Sequence, residues 1–245
     1  DRKNFLPYYE KRKGVCEHDT CKEGYMKRIV LIHTVKSVYD SFEKDLRAVT
    51  GDIKVYNIVD EFLVADPIER GFFTIENRMR LMHDLQSAQL TGSDLIVVTC
   101  STLTPHVVAA RPFFSTPIIA VDDAMCTLAV KEGSNIMVLA TAESTVGPTL
   151  QKLEEEAALQ GKKIQLSSLC CPEALVHLKA GQKAKHDKLV LDMARQVKNN
   201  NDTIVLAQAS MAHLQDLVQA QTKIRTLSSP QLCIQEVSKM LEAIR

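Results

Sequence analysis

Short apolar runs alternate with amphipathic segments from Met26 to the C-terminus, and most of the runs end in polar residues. A continuous apolar run predicts a strand buried on both faces, and apolar residues at helical spacing predict the helix that follows it. The predicted strands lie at 26–34, 53–64, 94–100, 117–125, 135–145, 163–170, 202–208 and 223–227, and the predicted helices at 37–49, 71–90, 144–161, 172–200, 210–220 and from 229 onward, with a short helix before Pro117. This alternation predicts an α/β fold with mainly parallel sheets, in which sites lie beyond the C-terminal ends of the strands.

Two of the predicted strand ends share one design. In residues 94–105, DLIVVTCSTLTP, an apolar strand runs into Cys100 and a cluster of hydroxyls. In residues 202–211, DTIVLAQASM, an equally apolar strand runs into Gln208 and Ser210. We interpret these stretches as two half-sites that face each other, so the predicted function rests on what Cys100 and Gln208 do together.

Composition narrows the class of protein mainly by exclusion. The 245 residues are 45% hydrophobic and 24% charged, with 30 basic residues balancing 30 acidic ones. Such a chain can form one large or two small domains. Its balanced charge argues against nucleic acid or a membrane as partner, and its apolar runs fall short of the roughly 20 residues that a membrane helix needs. We expect a cytoplasmic protein that binds a small molecule.

The use of cysteine and glycine argues against a small disulfide-rich secreted protein and against a nucleotide-binding protein. The 7 cysteines do not have the spacing of a small secreted disulfide framework, so we expect reduced thiols. Only 9 glycines are present, and no GxGxxG or GxxxxGK[ST] motif follows a strand. A nucleotide cofactor is therefore not expected.

Residues 1–25 are polar and aperiodic, unlike the rest of the chain. Cys16, His18, Asp19 and Cys21 resemble part of a metal site, but no second Cys/His pair completes a tetrahedral set at the usual spacing. We interpret the segment as a solvated, disordered arm. A second hypothesis is that residues 22–25 are encoded by a purine-rich ribosome-binding sequence before a start codon at Met26, which would make the arm a non-native translated leader of a bacterial-type protein.

Four segments after Met26 carry the strand ends: VVTCSTL, PIIAVDDAMCTLAV, NIMVLATAEST and DTIVLAQASMAHL. Together they resemble the aspartate/glutamate/hydantoin racemase superfamily, which also contains arylmalonate decarboxylase and maleate isomerase. The resemblance implies two pseudo-symmetric Rossmann-like lobes, at 26–121 plus 226–245 and at 122–225, with the active site in the cleft between them. It also implies a small carboxylate substrate, one cysteine at a strand end on each side of it, and no cofactor. We expect a homo-oligomer, since self-association is common in this architecture.

Two positions depart from the pattern of that superfamily. Cys100 stands where the first cysteine is expected, but Gln208 takes the place of the second. At the fifth strand, where decarboxylase relatives show Pro-Tyr, this chain has Ala142 and Glu143. Because an amide cannot usefully accept or deliver a proton, racemisation would need another group on the second face, with His33 and Glu143 as candidates.

Proton removal next to a carboxylate builds up negative charge that needs preorganised hydrogen-bond donors. The amides after Cys100 with the hydroxyls of Ser101 and Thr102 are one expected donor cluster, and the amides after Gln208 with Ser210 are the opposite one. A helix start lowers the pKa of a thiol, so Cys100 is the predicted catalytic acid or base. The predicted substrate-binding residues are His33, Thr34, Ser101, Thr102, Thr141, Glu143, Ser144, Gln208, Ala209 and Ser210.

Three functions stay open at this level. The leading hypothesis is a cofactor-independent racemase or isomerase that acts on the carbon next to a carboxylate of an amino acid or related acid, with one catalytic cysteine. The first alternative is a decarboxylase or lyase of a malonate-like acid, because one protonation after bond cleavage needs only one cysteine. The second alternative is a protein that binds small carboxylates without turning them over.

The remaining chemically interesting residues have more ordinary interpretations. Asp122 and Asp123 either hold the junction between lobes or cap the next helix, and capping is the favoured interpretation. Core filling is expected for Cys126, Cys170, Cys171 and Cys233, and solvent-facing positions for His106, His177, His186 and His213. A carboxylate anchor is conceivable among Arg70, Arg78, Arg80 and Arg111, although helix surfaces suit most of them better.

Overall fold

Parallel strands form two four-stranded sheets in the computed structural model, which describes residues 26–198 and 200–244. The strand order is β2-β1-β3-β4 in the first sheet and β6-β5-β7-β8 in the second. The strands are β1 Arg28–His33, β2 Lys54–Val59, β3 Leu95–Val98, β4 Ile118–Ala120, β5 Asn135–Ala140, β6 Gln165–Cys170, β7 Thr203–Leu206 and β8 Arg225–Ser228. Two parallel sheets of one order confirm the predicted α/β fold with two related lobes.

Helices cover both faces of each sheet. They are α1 Lys36–Thr50, α2 Phe62–Arg70, α3 Ile75–Leu90, α4 Thr104–Ala110, α5 Asp123–Glu132, α6 Glu143–Gln160, α7 Pro172–Lys179, α8 Lys183–Ala194, α9 Gln215–Thr222 and α10 Ser229–Ala243. On the first sheet, α2, α3 and α4 pack against one face and α1 and α10 against the other. On the second sheet, α7, α8 and α9 pack against one face and α5 and α6 against the other.

The strands at the centre of each sheet are continuously apolar because they are buried on both faces. In β1, Val30 and Ile32 face one hydrophobic cluster, while Ile29 and Leu31 face the opposite one. All four side chains are fully buried. Each such side chain contributes about 1.5–3 kcal/mol by leaving water. The sheet can therefore hold polar residues rigidly at its C-terminal edge.

The C-terminal helix crosses from one half of the molecule to the other. β8 pairs with β7 in the second sheet through Ser228, and the predicted return to lobe 1 at residue 226 thus falls inside this strand. α10 then places Cys233, Ile234 and Val237 in the hydrophobic cluster of the first sheet. The exact lobe bounds stay a prediction. Among the helices of residues 26–198 and 200–244, none is long and apolar enough to cross a membrane.

Local turn chemistry explains where the predicted elements were wrong. The second strand ends at Val59 instead of running to residue 64, because Asp60 accepts a hydrogen bond from the Phe62 N–H (3.1 Å) and α2 begins there. The helical stretch 172–200 is two helices, separated by Gly181 with φ 74°. The predicted helix 210–220 starts as a 3-10 helix, Ala209–Leu214, before α9. The helices predicted at 37–49, at 144–161 and from 229 are confirmed by α1, α6 and α10.

Candidate active site

The first half of the site is built around Cys100, which follows β3 and is partly exposed. Four donor groups lie beside its thiol and lower its pKa, namely the hydroxyls of Thr34 and Thr102 and the backbone amides of Thr102 and Leu103. The Leu103 amide also donates a hydrogen bond to the backbone carbonyl of Cys100 (3.1 Å). Thr34 and Thr102 are themselves buried, so packing fixes the direction of these donors. A sulfur surrounded by four donors is a place where negative charge can form and be stabilised.

The resting charge of Cys100 differs from the sequence-based expectation. Burial raises the pKa of the thiol above its ordinary value, and the hydrogen bonds from Thr34, Thr102 and Leu103 oppose this only in part. The expected lowering of the thiol pKa was wrong, because burial outweighs the donors at the start of the 3-10 helix Ser101–Leu103. Cys100 is therefore a protonated thiol at rest, with donors in place for the thiolate.

His33 is held inside the first half-site by both of its ring nitrogens. Its Nε2 lies 3.1 Å from Asn57 Oδ1, and its Nδ1 lies 2.8 Å from the Thr99 hydroxyl. Asn57 donates its own amide N–H to Glu43 (2.6 Å), so its oxygen must accept from Nε2–H. Burial lowers the pKa of His33, which favours the neutral ring. Since the ring has no exposed surface, its assignment to the substrate stays a prediction.

The second half of the site is built around Gln208, which follows β7. Its Oε1 accepts hydrogen bonds from the Thr141 amide (2.5 Å), the Thr141 hydroxyl (3.0 Å) and the Ala142 amide (3.1 Å). Both backbone groups are donors only, so the oxygen of Gln208 must face them and the NH2 group must face away. Gln208 thus fills the donor cluster at the end of β5 with its own oxygen.

The other predicted residues of this half lie around Gln208. Ser210 sits in the 3-10 helix that follows, and its buried hydroxyl makes no hydrogen bond within residues 26–198 and 200–244. Glu143 is exposed at the start of α6 and lies near Cys170, where burial and this carboxylate raise the pKa of the thiol to about 12. Ala209 and Ser144 are partly exposed in the same two turns. Whether Ser210 binds a ligand stays a prediction.

The acids Asp122 and Asp123 tie the end of β4 to the turns and helices around it. Asp122 is 1% exposed and accepts hydrogen bonds from Ser101 (3.0 Å) and Thr104 (3.2 Å). Asp123 accepts from the Ala120 amide (2.8 Å), pairs with Arg111, and lies 3.0 Å from the ammonium of Lys152 on α6. Asp122 stands at the N-cap of α5 but makes no capping bond with its side chain. The favoured capping interpretation was therefore wrong for Asp122, and the junction interpretation stays a prediction.

Several other residues lie away from the two strand ends or are already engaged. Arg70, Arg80 and Arg111 each pair with an acid of the same chain, at Asp66, Asp60 and Asp123. Cys126 and Cys233 are buried in the cores, as expected. His186 is fully buried and not solvent-facing, because its Nδ1 donates to Asp187 (2.8 Å) beneath His213, which also bonds Asp187 (2.9 Å).

Metal chemistry has no visible support within the part of the chain that the structure describes. There, no group of three or more His, Cys, Asp or Glu side chains is arranged to hold a metal ion. The metal candidates Cys16, His18, Asp19 and Cys21 lie outside the described residues.

A family profile described as Asp/Glu/Hydantoin racemase matches residues 29–237, which include both half-sites. The chain belongs to this family. A comparison with curated proteins gave no match.

Solved structures of racemases share the fold at low sequence identity. Glutamate racemase from Thermus thermophilus, in complex with beta-chloro-D-alanine, is 18% identical with a TM-score of 0.65, over 89% of this chain and 81% of that one. Aspartate racemase from Picrophilus torridus is 13% identical with a TM-score of 0.66, over 88% and 94%. Allantoin racemase from Klebsiella pneumoniae is 16% identical with a TM-score of 0.59, over 89% and 88%. These likenesses establish the common fold.

Within this racemase-family fold, the site contains residues that sequence reasoning missed. Asn57 and Thr99 orient His33, and Thr104 shares Asp122 with Ser101. Asn57 carries a signal in hindsight, since it is a polar residue within the apolar run of β2. Asp122 carries one too, because a carboxylate directly after a buried strand needs partners.

Proposed function

We propose that the chain is a cofactor-independent enzyme of the racemase and isomerase type, acting at the carbon next to a carboxylate of a small acid. Cys100 carries the proton on one face of that carbon. The observation that carries the proposal is the ring of donors around the Cys100 thiol, from Thr34, Thr102 and Leu103. Membership of the racemase family supports the class of reaction.

The chemistry of Cys100 follows from its protonation state. Burial keeps the thiol protonated at rest, so it is suited to deliver a proton to the carbanion next to the carboxylate, after a base on the opposite face, for which Glu143 is the candidate, has removed the proton of that carbon. The thiolate left behind is stabilised by the hydroxyl of Thr34 and the amides of Thr102 and Leu103. In the reverse direction the same thiolate takes the proton back.

The substrate class comes from the relatives and from the donors on the second half-site. Structures similar to this chain include glutamate, aspartate and allantoin racemases, and one of them holds beta-chloro-D-alanine. Ser210 offers a buried hydroxyl without a partner, and Gln208 offers the two N–H groups of an amide fixed through its oxygen. These are neutral donors of the kind that bind a carboxylate. We therefore propose a small carboxylic acid, amino acids included, as substrate.

A second candidate function is favoured by the state of Gln208. An amide whose oxygen already accepts three hydrogen bonds is no proton carrier, so the second face lacks a titrating group at this position. Decarboxylation or a lyase step on a malonate-like acid needs only one protonation, from Cys100. The product would then be a single enantiomer.

Proton exchange in deuterated water, followed by NMR, tests the proposal on a panel of amino acids, hydroxy acids and malonates. The native protein, Cys100→Ala and the control Cys171→Ser are compared, since Cys171 is a partly exposed thiol of the other half. We expect exchange or turnover on at least one acid that disappears with Cys100 and survives in the control. A mixture of enantiomers supports racemisation, one enantiomer supports the lyase candidate, and stabilisation by an acid without any exchange would leave a carboxylate-binding protein.

A further inference from the structure

Asp122 accepts hydrogen bonds from residues 101–104, the turn that follows Cys100, and has no part in the proposed proton transfer. It follows β4 in the same sheet as Cys100, and its side chain is almost completely buried. Burial raises its pKa to about 6, with the hydrogen bonds from Ser101 and Thr104 acting against this. A carboxylate in such a place is costly for the fold unless its hydrogen bonds do something that a neutral side chain would not.

The two hydrogen bonds of Asp122 enclose the residues that contact the sulfur. One carboxylate oxygen accepts from Ser101 (3.0 Å) and the other from Thr104 (3.2 Å). Between these two residues lie Thr102 and Leu103. The Leu103 amide closes the turn by donating to the backbone carbonyl of Cys100 (3.1 Å), and the amides of both residues lie beside the Cys100 thiol. One rigid carboxylate therefore fixes both ends of the turn that carries the donors.

The same acid pair connects this turn to the second half of the molecule. Asp123 pairs with Arg111 after α4 and with Lys152 on α6, and Lys152 also pairs with Glu156 (2.8 Å). α6 packs directly against the turn Ser101–Leu103. The backbone at Asp122 is thereby anchored from both sides, so its carboxylate is a fixed point relative to Cys100.

We propose that Asp122 is a positioning residue for the reaction: by holding Ser101 and Thr104 it fixes the turn that starts at Cys100, keeps the amides of that turn beside the sulfur, and so makes the thiolate easier to form. The role goes beyond the proposed function, in which Asp122 takes no part. It rests on the proposed function only in that Cys100 carries the proton.

Two roles of Asp122 predict opposite effects on the thiol. If the carboxylate acted only through its charge, its removal would make the Cys100 thiolate easier to form, since a nearby negative charge disfavours a second one. If it positions the turn, its removal weakens the hydrogen bonds to sulfur and makes the thiolate harder to form. Ser101→Ala separates the two, because it cuts one hydrogen bond and leaves the charge in place.

The experiment measures alkylation of Cys100 by iodoacetamide against pH, with peptide mass spectrometry to isolate Cys100 from the other thiols. It needs no substrate. Native protein, Asp122→Asn, Ser101→Ala and the control Asp94→Asn are compared, with thermal melting as a check of folding. Asp94 accepts the Arg28 amide (2.8 Å) at the opposite edge of the same sheet, so its substitution should leave the pH midpoint of alkylation unchanged.

We expect the pH midpoint to rise in both Asp122→Asn and Ser101→Ala, with alkylation near pH 8 slowed about tenfold. On an acid that the enzyme turns over, kcat should fall by a similar factor while KM changes little. An unchanged or lowered midpoint in Ser101→Ala would overturn the proposal, whether or not Asp122→Asn folds. If no acid is turned over, the proposed function fails, and the alkylation arm still decides the role of Asp122.

Discussion

The two half-sites of this molecule share one frame and hold different groups in it. Thr34 directly follows β1 and Thr141 directly follows β5, and these strands take the second place in the order of their sheets. Cys100 stands two residues beyond β3, and Gln208 stands two residues beyond β7. In one half the threonine hydroxyl donates to a thiol, and in the other to an amide oxygen. The frame of donors is thus common to both halves, and the group it holds decides which half can move a proton.

The surroundings of the two turns differ as well. The first turn is held by the buried Asp122, two residues beyond β4, whereas Pro230 stands two residues beyond β8. The second turn is instead tied to α8 by His213, which hydrogen-bonds Asp187 (2.9 Å). A rigid carboxylate holds the turn after Cys100, and a histidine hydrogen bond holds the turn after Gln208. We expect proton transfer in the first half and ligand binding in the second.

The largest expected effect is a contrast between truncations of the two held groups. Cys100→Ala should lower proton exchange by on the order of 10³-fold, because it removes the proton carrier. Gln208→Ala should lower exchange less than about tenfold, because it removes one neutral donor and leaves the acid in place. Equal losses in the two variants, measured by NMR in deuterated water, would contradict the division of roles between the halves.

Gln208→Cys should convert the second half into a copy of the first. The Thr141 hydroxyl and the amides of Thr141 and Ala142 would then face a sulfur instead of an amide oxygen. With a titrating group on each face, we expect interconversion of enantiomers to rise by about 100-fold over the native protein.

Chiral chromatography of the product from a single enantiomer measures the rise in Gln208→Cys. Gln208→Ser is the matched control, since it is equally short but carries no group that titrates near neutral pH. A product that stays a single enantiomer in Gln208→Cys would show that the second half lacks more than a thiol.

Two hydrogen-bonded acids, buried Asp122 in the first half and exposed Asp202 in the second, should respond to pH with opposite signs. Burial raises the pKa of Asp122 from an ordinary 3.8 to about 6, so the unfolded chain ionises first and stability from this group falls as pH rises from about 4 to 6. The shift corresponds to about 3 kcal/mol. Urea unfolding should therefore find Asp122→Asn most harmful at about pH 4 and least harmful at neutral pH.

Asp202 in the second half supplies the opposite case. Hydrogen bonds from the amides of Asn135 and Ser134 lower its pKa, so its stabilising contribution is present above its ordinary pKa and is lost as the pH falls. Asp202→Asn should be most harmful at neutral pH. If the two variants lost stability with the same dependence on pH, the prediction of opposite signs for Asp122 and Asp202 would be wrong.

The sequence predicted the strands and helices better than the side-chain contacts and the thiol pKa in the site. Apolar runs predicted the strands, because central strands of a parallel sheet are buried on both faces. The C-terminal ends of these strands predicted the positions of Cys100 and Gln208. The helix Phe62–Arg70 was missed because one side-chain bond from Asp60 ends the strand, and no periodicity encodes that. The thiol pKa was predicted in the wrong direction because its sign depends on burial, which long-range packing decides.

The same limit applies to residues whose partners are distant in sequence. His33 looked available for a substrate, yet Asn57 and Thr99 occupy both of its nitrogens from other strands. Asp122 looked like a helix cap, yet Ser101 and Thr104 reach it across the sheet. Sequence patterns predict the role of a polar residue from its neighbours in the chain. In the folded protein, contacts between neighbouring strand ends give such a residue other partners.

The smallest effect, and the finest comparison, comes from the two threonines that start each donor frame. Thr34→Val removes the hydroxyl that donates to Cys100 and nearly preserves the shape of a buried side chain, so the pKa of the thiol should rise further and alkylation should slow about fivefold. Thr141→Val removes one of three donors to Gln208 and leaves both backbone amides in place. It should leave alkylation of Cys100 unchanged. An equal slowing in both variants would mean that the halves act on the sulfur together, and the two frames would then have to be described as one site.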